Sequence, residues 1–162
     1  MISVGDYLYF VDEALEGMVA IVTELGDELA NRRLDVPGAN SPFAVLYHCL
    51  GVMEYWGGEL VAGRTIERDR DAEFRSAGRV DELIGRTRRA RRQLDADIAD
   101  LEPLAPPRGT PEPDDVDLPL ARTQGGALVH IYEELAQHRG QMDVTRDVLR
   151  AAWARSSGSA GG

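Results

Sequence analysis

Residues 127–142 run Ala127-Leu128-Val129-His130-Ile131-Tyr132-Glu133-Glu134-Leu135-Ala136-Gln137-His138-Arg139-Gly140-Gln141-Met142. Ala127, Ile131, Leu135 and Met142 share one face of a 3.6-residue period, and the seam extends to Val148 and Leu149. The pattern predicts a long amphipathic helix from about Thr123 to Arg155. Its seam is unusual. His130, Glu134, His138 and Gln141 stand where a packed interior is expected.

Upstream, helical periodicity recurs three times. Leu8, Val11, Leu15, Met18, Val22, Leu25 and Leu29 alternate at spacings of three and four, which marks a first amphipathic helix. Ser3 and Asp6 form a loose capping box at its start, and Pro37-Gly38 lies beyond its end. Asn40-Ser41-Pro42 opens a second helix, with a capping hydroxyl before a first-turn proline, running to about Ala62. That helix is apolar nearly all round (Phe43, Val45, Leu46, Leu50, Val52, Met53, Trp56, Leu60), so it is expected to be buried. Val80, Leu83, Thr87, Ala90, Leu94 and Leu101 mark a third, whose run Arg86, Arg88, Arg89, Arg91 and Arg92 reads as a solvated face.

Two connections are long. Gly63 and the charged stretch Arg64 to Arg79 are too long for a simple hairpin, and residues 103–119 hold six of the eight prolines. No strand pattern or internal repeat is found. The expectation is an all-α four-helix bundle formed by residues 1–155 as a single domain, with 156–162 a flexible small-residue tail.

Composition narrows the function. The chain has 162 residues, 18 arginines and no lysine against 28 acids, for a net charge of −10 at 43% apolar content. That balance disfavours nucleic acid and anionic membranes as partners. No apolar run is long enough to span a bilayer and the N-terminus lacks a signal-peptide layout, so a cytoplasmic protein is expected. One cysteine, Cys49, leaves no internal disulfide and reads as a buried inert thiol.

The candidate chemistry lies on the stripes. His130, Glu134 and His138 follow one another at one-turn intervals, and burying an ionised carboxylate is costly unless it is paired or binds a metal. On the second helix Val45, His48, Val52 and Tyr55 form one stripe, with His48 its strongly polar member. An interior His facing an acid and a His on another helix is how bundles build metal sites. Two imidazoles and a carboxylate suit Zn²⁺, Fe²⁺ or Ni²⁺ and leave positions open for water or substrate. Residues i and i+8 are ~12 Å apart along a helix, so His130 and His138 do not easily share one ion. Periodicity leaves both pairings open: His130 with Glu134, or Glu134 with His138.

Three stretches carry a family resemblance. Leu46-Tyr47-His48-Cys49-Leu50-Gly51-Val52-Met53-Glu54-Tyr55-Trp56 resembles the second-helix signature of the DinB/YfiT superfamily, and His130 to Asp143 is similar to its fourth-helix motif. Asp69-Arg70-Asp71-Ala72-Glu73-Phe74-Arg75 resembles a connector of its actinobacterial branch. The resemblance covers residues 1 to about 150. It implies an up-down-down-up four-helix bundle, often a homodimer, around a divalent metal. With Glu134 in the middle ligand position it is similar to the mycothiol-dependent branch that includes maleylpyruvate isomerase. The implied ligands are His48, Glu134 and His138, with zinc favoured, and His130 is a second-shell or pocket residue.

The expected function is a metal-dependent S-transferase that activates a low-molecular-weight thiol, mycothiol first, for attack on a small electrophile. His130 is the candidate proton carrier, and Tyr55, Trp56 and Arg139 are pocket candidates. Two alternatives stand beside it: a non-haem iron oxygenase with a 2-His-1-carboxylate site, and a stress-linked metal-binding bundle without turnover.

Overall fold

In a computed structural model of the chain, residues 2–113 and 115–158 are described, and among them there is helix and no strand. Helix α1 spans Val4–Ala30, and its start carries the complete capping box between Ser3 and Asp6. Gly26, with φ 62°, interrupts its regular geometry in a region of backbone space that favours glycine. Helix α2 spans Pro42–Met53 and begins where the Ser41 hydroxyl accepts the Ala44 N–H. A short helix, α3, covers Arg70–Glu73 inside the first long connection, capped by Asp69. Helix α4 spans Val80–Asp97 and α5 spans Gln124–Gly158.

The second helix does not continue to Ala62 as regular α-helix. From Glu54 to Val61 it widens into a π-helix, a form that is rare and concentrates at functional sites. Space around Gly57 and Gly58 accommodates this segment: a Cβ on Gly57 would crowd Leu94 of α4, and one on Gly58 would collide with Arg64. Arg64 in turn makes a two-pronged ion pair with Asp97 of α4 (2.9 and 2.7 Å), which ties the end of the widened segment to a neighbouring helix. The third helix ends at Asp97 instead of reaching Leu101.

The core is built by α1 and α2 each packing on both α4 and α5. Val11, Met18, Val22, Leu46, Leu50, Leu60, Ile131, Leu135 and Met142 are all fully buried there. Each such side chain contributes roughly 1.5–3 kcal/mol by leaving water. Two seam residues lie outside the core: Gln141 is exposed, and Val148 is 45% exposed. Leu149 holds the core direction, and its neighbour points ~100° away around the helix. Of the arginine run, Arg86 and Arg91 are ion-paired, whereas Arg88, Arg89 and Arg92 lie in or toward solvent. Residues 156–158, expected in a flexible tail, belong to α5. Residues 159–162 of that tail, and Asp114, lie outside the described residues. No helix among the described residues is long and apolar enough to cross a membrane.

One buried and one exposed apolar position give a paired test by chemical denaturation. Leu46→Ala removes a fully buried side chain and is expected to lower stability by ~2–5 kcal/mol. Val148→Ala is expected to change it by less than ~0.5 kcal/mol.

Candidate metal centre

His48 sits in the middle of α2 and is 1% exposed. Glu134 and His138 project one turn apart from α5, which packs directly on α2. One ligand atom from each of the three lies within 4.8 Å of the others. A single oxygen, Glu134 Oε2, is 3.2 Å from His48 Nε2 and 3.3 Å from His138 Nε2. Of the two pairings the sequence left open, Glu134 with His138 is the one that meets His48.

The far side of each imidazole is also held. Glu73 of α3 reaches His48 Nδ1 at 2.8 Å, and Arg68 grips the same carboxylate through Nε (2.9 Å) and Nη2 (3.0 Å). Glu73 is buried and can approach because position 51 is glycine: a Cβ there would collide with its carboxylate. Phe74 stacks on the His48 ring at 4.3 Å. Gln141 Oε1 lies 2.8 Å from His138 Nδ1. So Gln141, although outside the core, faces the site through its side chain.

This arrangement fits a divalent cation. Both nitrogens of His48 face carboxylate oxygens, which only accept hydrogen bonds, and a neutral imidazole has one N–H to give. With Nδ1–H donated to Glu73, the Nε2 lone pair is left facing Glu134 Oε2, and only a cation or a second proton reconciles the two. His138 repeats the pattern between Gln141 and Glu134. Partners that fix the tautomer and aim the lone pair are the usual outer shell of metal-binding histidines.

Charge distribution agrees. Hydrogen bonds from His138 and then His48 hold the Glu134 carboxyl well below the usual carboxylate range, against the opposing effect of burial. Burial pushes Glu73 up, but its contacts with His48 and Arg68 outweigh it and the net shift is downward. Burial pushes His138 down, and Glu134 and Gln141 more than reverse that, so it holds its proton more tightly than a free histidine. Burial, reinforced by Glu134 and Glu73, raises the Cys49 thiol well above its ordinary value. It is no nucleophile.

A cavity of about 320 Å³ opens onto His48 and Glu134, with Val52, Trp56 and His130 in its wall. His130 stands beside Trp56, ring centres 4.3 Å apart. Its Nδ1 is 3.3 Å from Glu133 Oε2 yet is buried without a well-formed hydrogen bond. His130, Glu133 and Glu134 also lie close enough to form a second ligand set. Glu133 is about half exposed and no outer partner fixes that set, so the His48, Glu134 and His138 group is the better metal site.

Two pocket candidates lie elsewhere. Arg139 turns to α1, where its Nη1 donates to the Glu13 carbonyl at 3.0 Å, because it follows His138 directly and points away from the site. Tyr55 is buried behind the cavity, its ring 5.6 Å below the Arg68 guanidinium, and its hydroxyl accepts the Glu112 N–H at 2.8 Å. Sequence reasoning gave no role to Arg68 or Glu73. They sit in the charged connector, where only Glu73 falls within the stretch that carries the family resemblance, and their closeness to Gly51 and His48 shows only in the structure.

Two measurements check the site. Glu73→Gln keeps the shape but weakens the hold on His48, and metal affinity by competitive chelator titration is expected to fall ~10–100-fold with helix content unchanged. In the metal-free protein, Glu134 and Glu73 titrate below the unfolded-chain value of ~4.3, so their stabilisation is present above that pH and is lost on acidification. His138 titrates above its ~6.5 reference, so its contribution is present below that pH and is lost as pH rises. Thermal midpoints of the metal-free protein are therefore expected to fall on both sides of the mildly acidic range.

A family model described as Mycothiol-S-transferase matches residues 7–151. No curated protein matches the chain. The matched span contains α2, α3, α4 and all the residues of the His48, Glu134 and His138 cluster. With nearly the whole helical domain covered, the chain belongs to the mycothiol S-transferase family.

Proposed function

We propose that this protein is a zinc-dependent cytoplasmic S-transferase that joins mycothiol to a small electrophile. The observation that carries it is the convergence of His48, Glu134 and His138, each with a fixed partner or shared oxygen, with His48 and Glu134 opening onto a cavity that Trp56, Val52 and His130 also line. We read the fold as an up-down-down-up bundle. Connections at 62–79 and 98–123 are long enough for helices that do not run as antiparallel hairpins.

His48 Nε2, His138 Nε2 and a Glu134 oxygen would hold the ion. When bound, a divalent cation would supply charge that stabilises the substrate's thiolate near neutral pH. Glu73 and Gln141 keep the two imidazoles in the Nδ1–H form, with Nε2 free for the ion. His130 stands beside the cavity to take the thiol proton and return it to the product as the S–C bond forms. Trp56, Val52 and Leu118 offer the electrophile an apolar part of the cavity wall. The protein's own thiol takes no part: Cys49 is buried and firmly protonated. The reacting sulfur comes with the substrate.

Elemental analysis of the purified protein beside a His138→Ala variant tests this directly. About one zinc per chain is expected in the parent and a large loss in the variant; equal metal in both refutes the site. Mass spectrometry should then find mycothiol adducts of epoxide, quinone or enone probes with the parent only. Iron with oxygen consumption, and no adduct, would favour the oxygenase chemistry that two imidazoles and a carboxylate also support.

A further inference from the structure

The cavity above the metal ligands has two chemically distinct ends. Its inner end is formed by His48, Glu134, His130 and Trp56. At its outer end stand Arg70 from α3 and Glu112 and Asp115 from the proline-rich loop. Among the described residues, none of these three side chains has a hydrogen-bond or ion-pair partner. The charged groups beside the ligands differ: Glu73 and Arg68 are paired with each other, and Glu73 and Glu134 with His48.

The loop that carries the two acids is held in place. Glu112 N–H is donated to the Tyr55 hydroxyl at 2.8 Å, and Arg108 N–H to the Leu60 carbonyl at 2.8 Å. Gln124 accepts the Glu102 N–H (3.0 Å) and donates to the Pro106 carbonyl (3.1 Å). Gly109 lies so close to the Glu59 carbonyl that a Cβ would not fit. Both anchors at the cavity end, Tyr55 and Leu60, come from the π-helical segment. The same segment therefore supplies Trp56 to the inner end and fixes the loop at the outer end. A rim fixed before binding loses little freedom when a ligand arrives.

From this the geometry points to Arg70, Glu112 and Asp115 as the residues that read the polyol of the thiol. The inference rests on the S-transferase reading and deepens it. Mycothiol is an acetylcysteine joined by an amide to a glucosaminyl-inositol. A cavity of about 320 Å³ is at the small end for a ligand pocket, so with the cysteinyl sulfur at the ligands the sugar part lies at the rim. Carboxylates accept hydrogen bonds from neighbouring hydroxyls, and a guanidinium donates to hydroxyl oxygens. Two acids and one arginine, none paired among the described residues, suit an uncharged ligand dense in hydroxyls. They do not suit a thiol that carries its own carboxylates.

The test compares mycothiol with N-acetylcysteinamide, which has the same reacting end and no polyol. In the Glu112→Ala/Asp115→Ala protein, the ratio of kcat/KM for mycothiol over the truncated thiol is expected to fall at least ~10-fold. Asp117→Ala, which removes one acid from the same loop outside the cavity lining, should leave the ratio as in the parent. The loop anchor at Glu112 is its backbone N–H, so the substitution leaves that bond in place. Calorimetry gives a readout without turnover: thiol-free glucosaminyl-inositol should bind the parent and not the double variant. An unchanged ratio overturns the rim assignment, whether both thiols slow together or neither does. So does an Asp117→Ala effect of equal size. A parent that makes adducts with neither thiol overturns the S-transferase reading itself, and that result is seen before any variant is made.

Discussion

One carboxylate oxygen, Glu134 Oε2, stands between two imidazoles from different helices, and much of the structure follows from keeping it there. An ionised acid that is largely buried is tolerated only with compensating charge or hydrogen bonds. His48 and His138 supply these, and for that α2 and α5 must approach closely at this level. Each imidazole then needs support on its other nitrogen. Glu73 and Gln141 provide it, and Glu73, itself a buried acid, needs Arg68. The polar network thus spreads from α5 through α2 to α3 and stops at an arginine that lines the cavity.

Glycine at position 51 and the widened turn after Met53 are the backbone counterparts of that network. Gly51 leaves room on α2 for a carboxylate to reach His48 from behind. The π-helical turns from Glu54 to Val61 place Tyr55 and Trp56 on different tasks, one holding the proline-rich loop and the other facing the cavity. A regular helix keeps adjacent residues ~100° apart at a fixed rise. The widening alters where the following turns fall relative to α4 and α5. Irregular backbone and function coincide here, as they often do at π-helical turns.

Much of the fold was legible in the residues. The caps at Ser3 and Ser41 and the seams of α1 and α5 are local signals, and local chemistry sets them. Less local features read poorly. The π-helical segment continues the α-helix before it without a break in the chain's helical pattern, so periodicity does not separate them. Val148 looked like a core residue because it is apolar and adjacent to one that is. Arg139, a pocket candidate from sequence, bonds the Glu13 carbonyl of α1, since adjacent residues on a helix diverge.

By itself the sequence determined that the chain is helical, that His48, Glu134 and His138 sit on faces meant for burial, and that no second cysteine is present. Those facts depend on residue type and spacing, which a single helix expresses without its neighbours. Only the tertiary structure decided that Glu134 meets His48 together with His138, and that a connector acid and arginine support the site. It also decided that two loop carboxylates overlook the same cavity. These pairs are far apart in sequence, and nothing in either partner's local pattern encodes the distance between them.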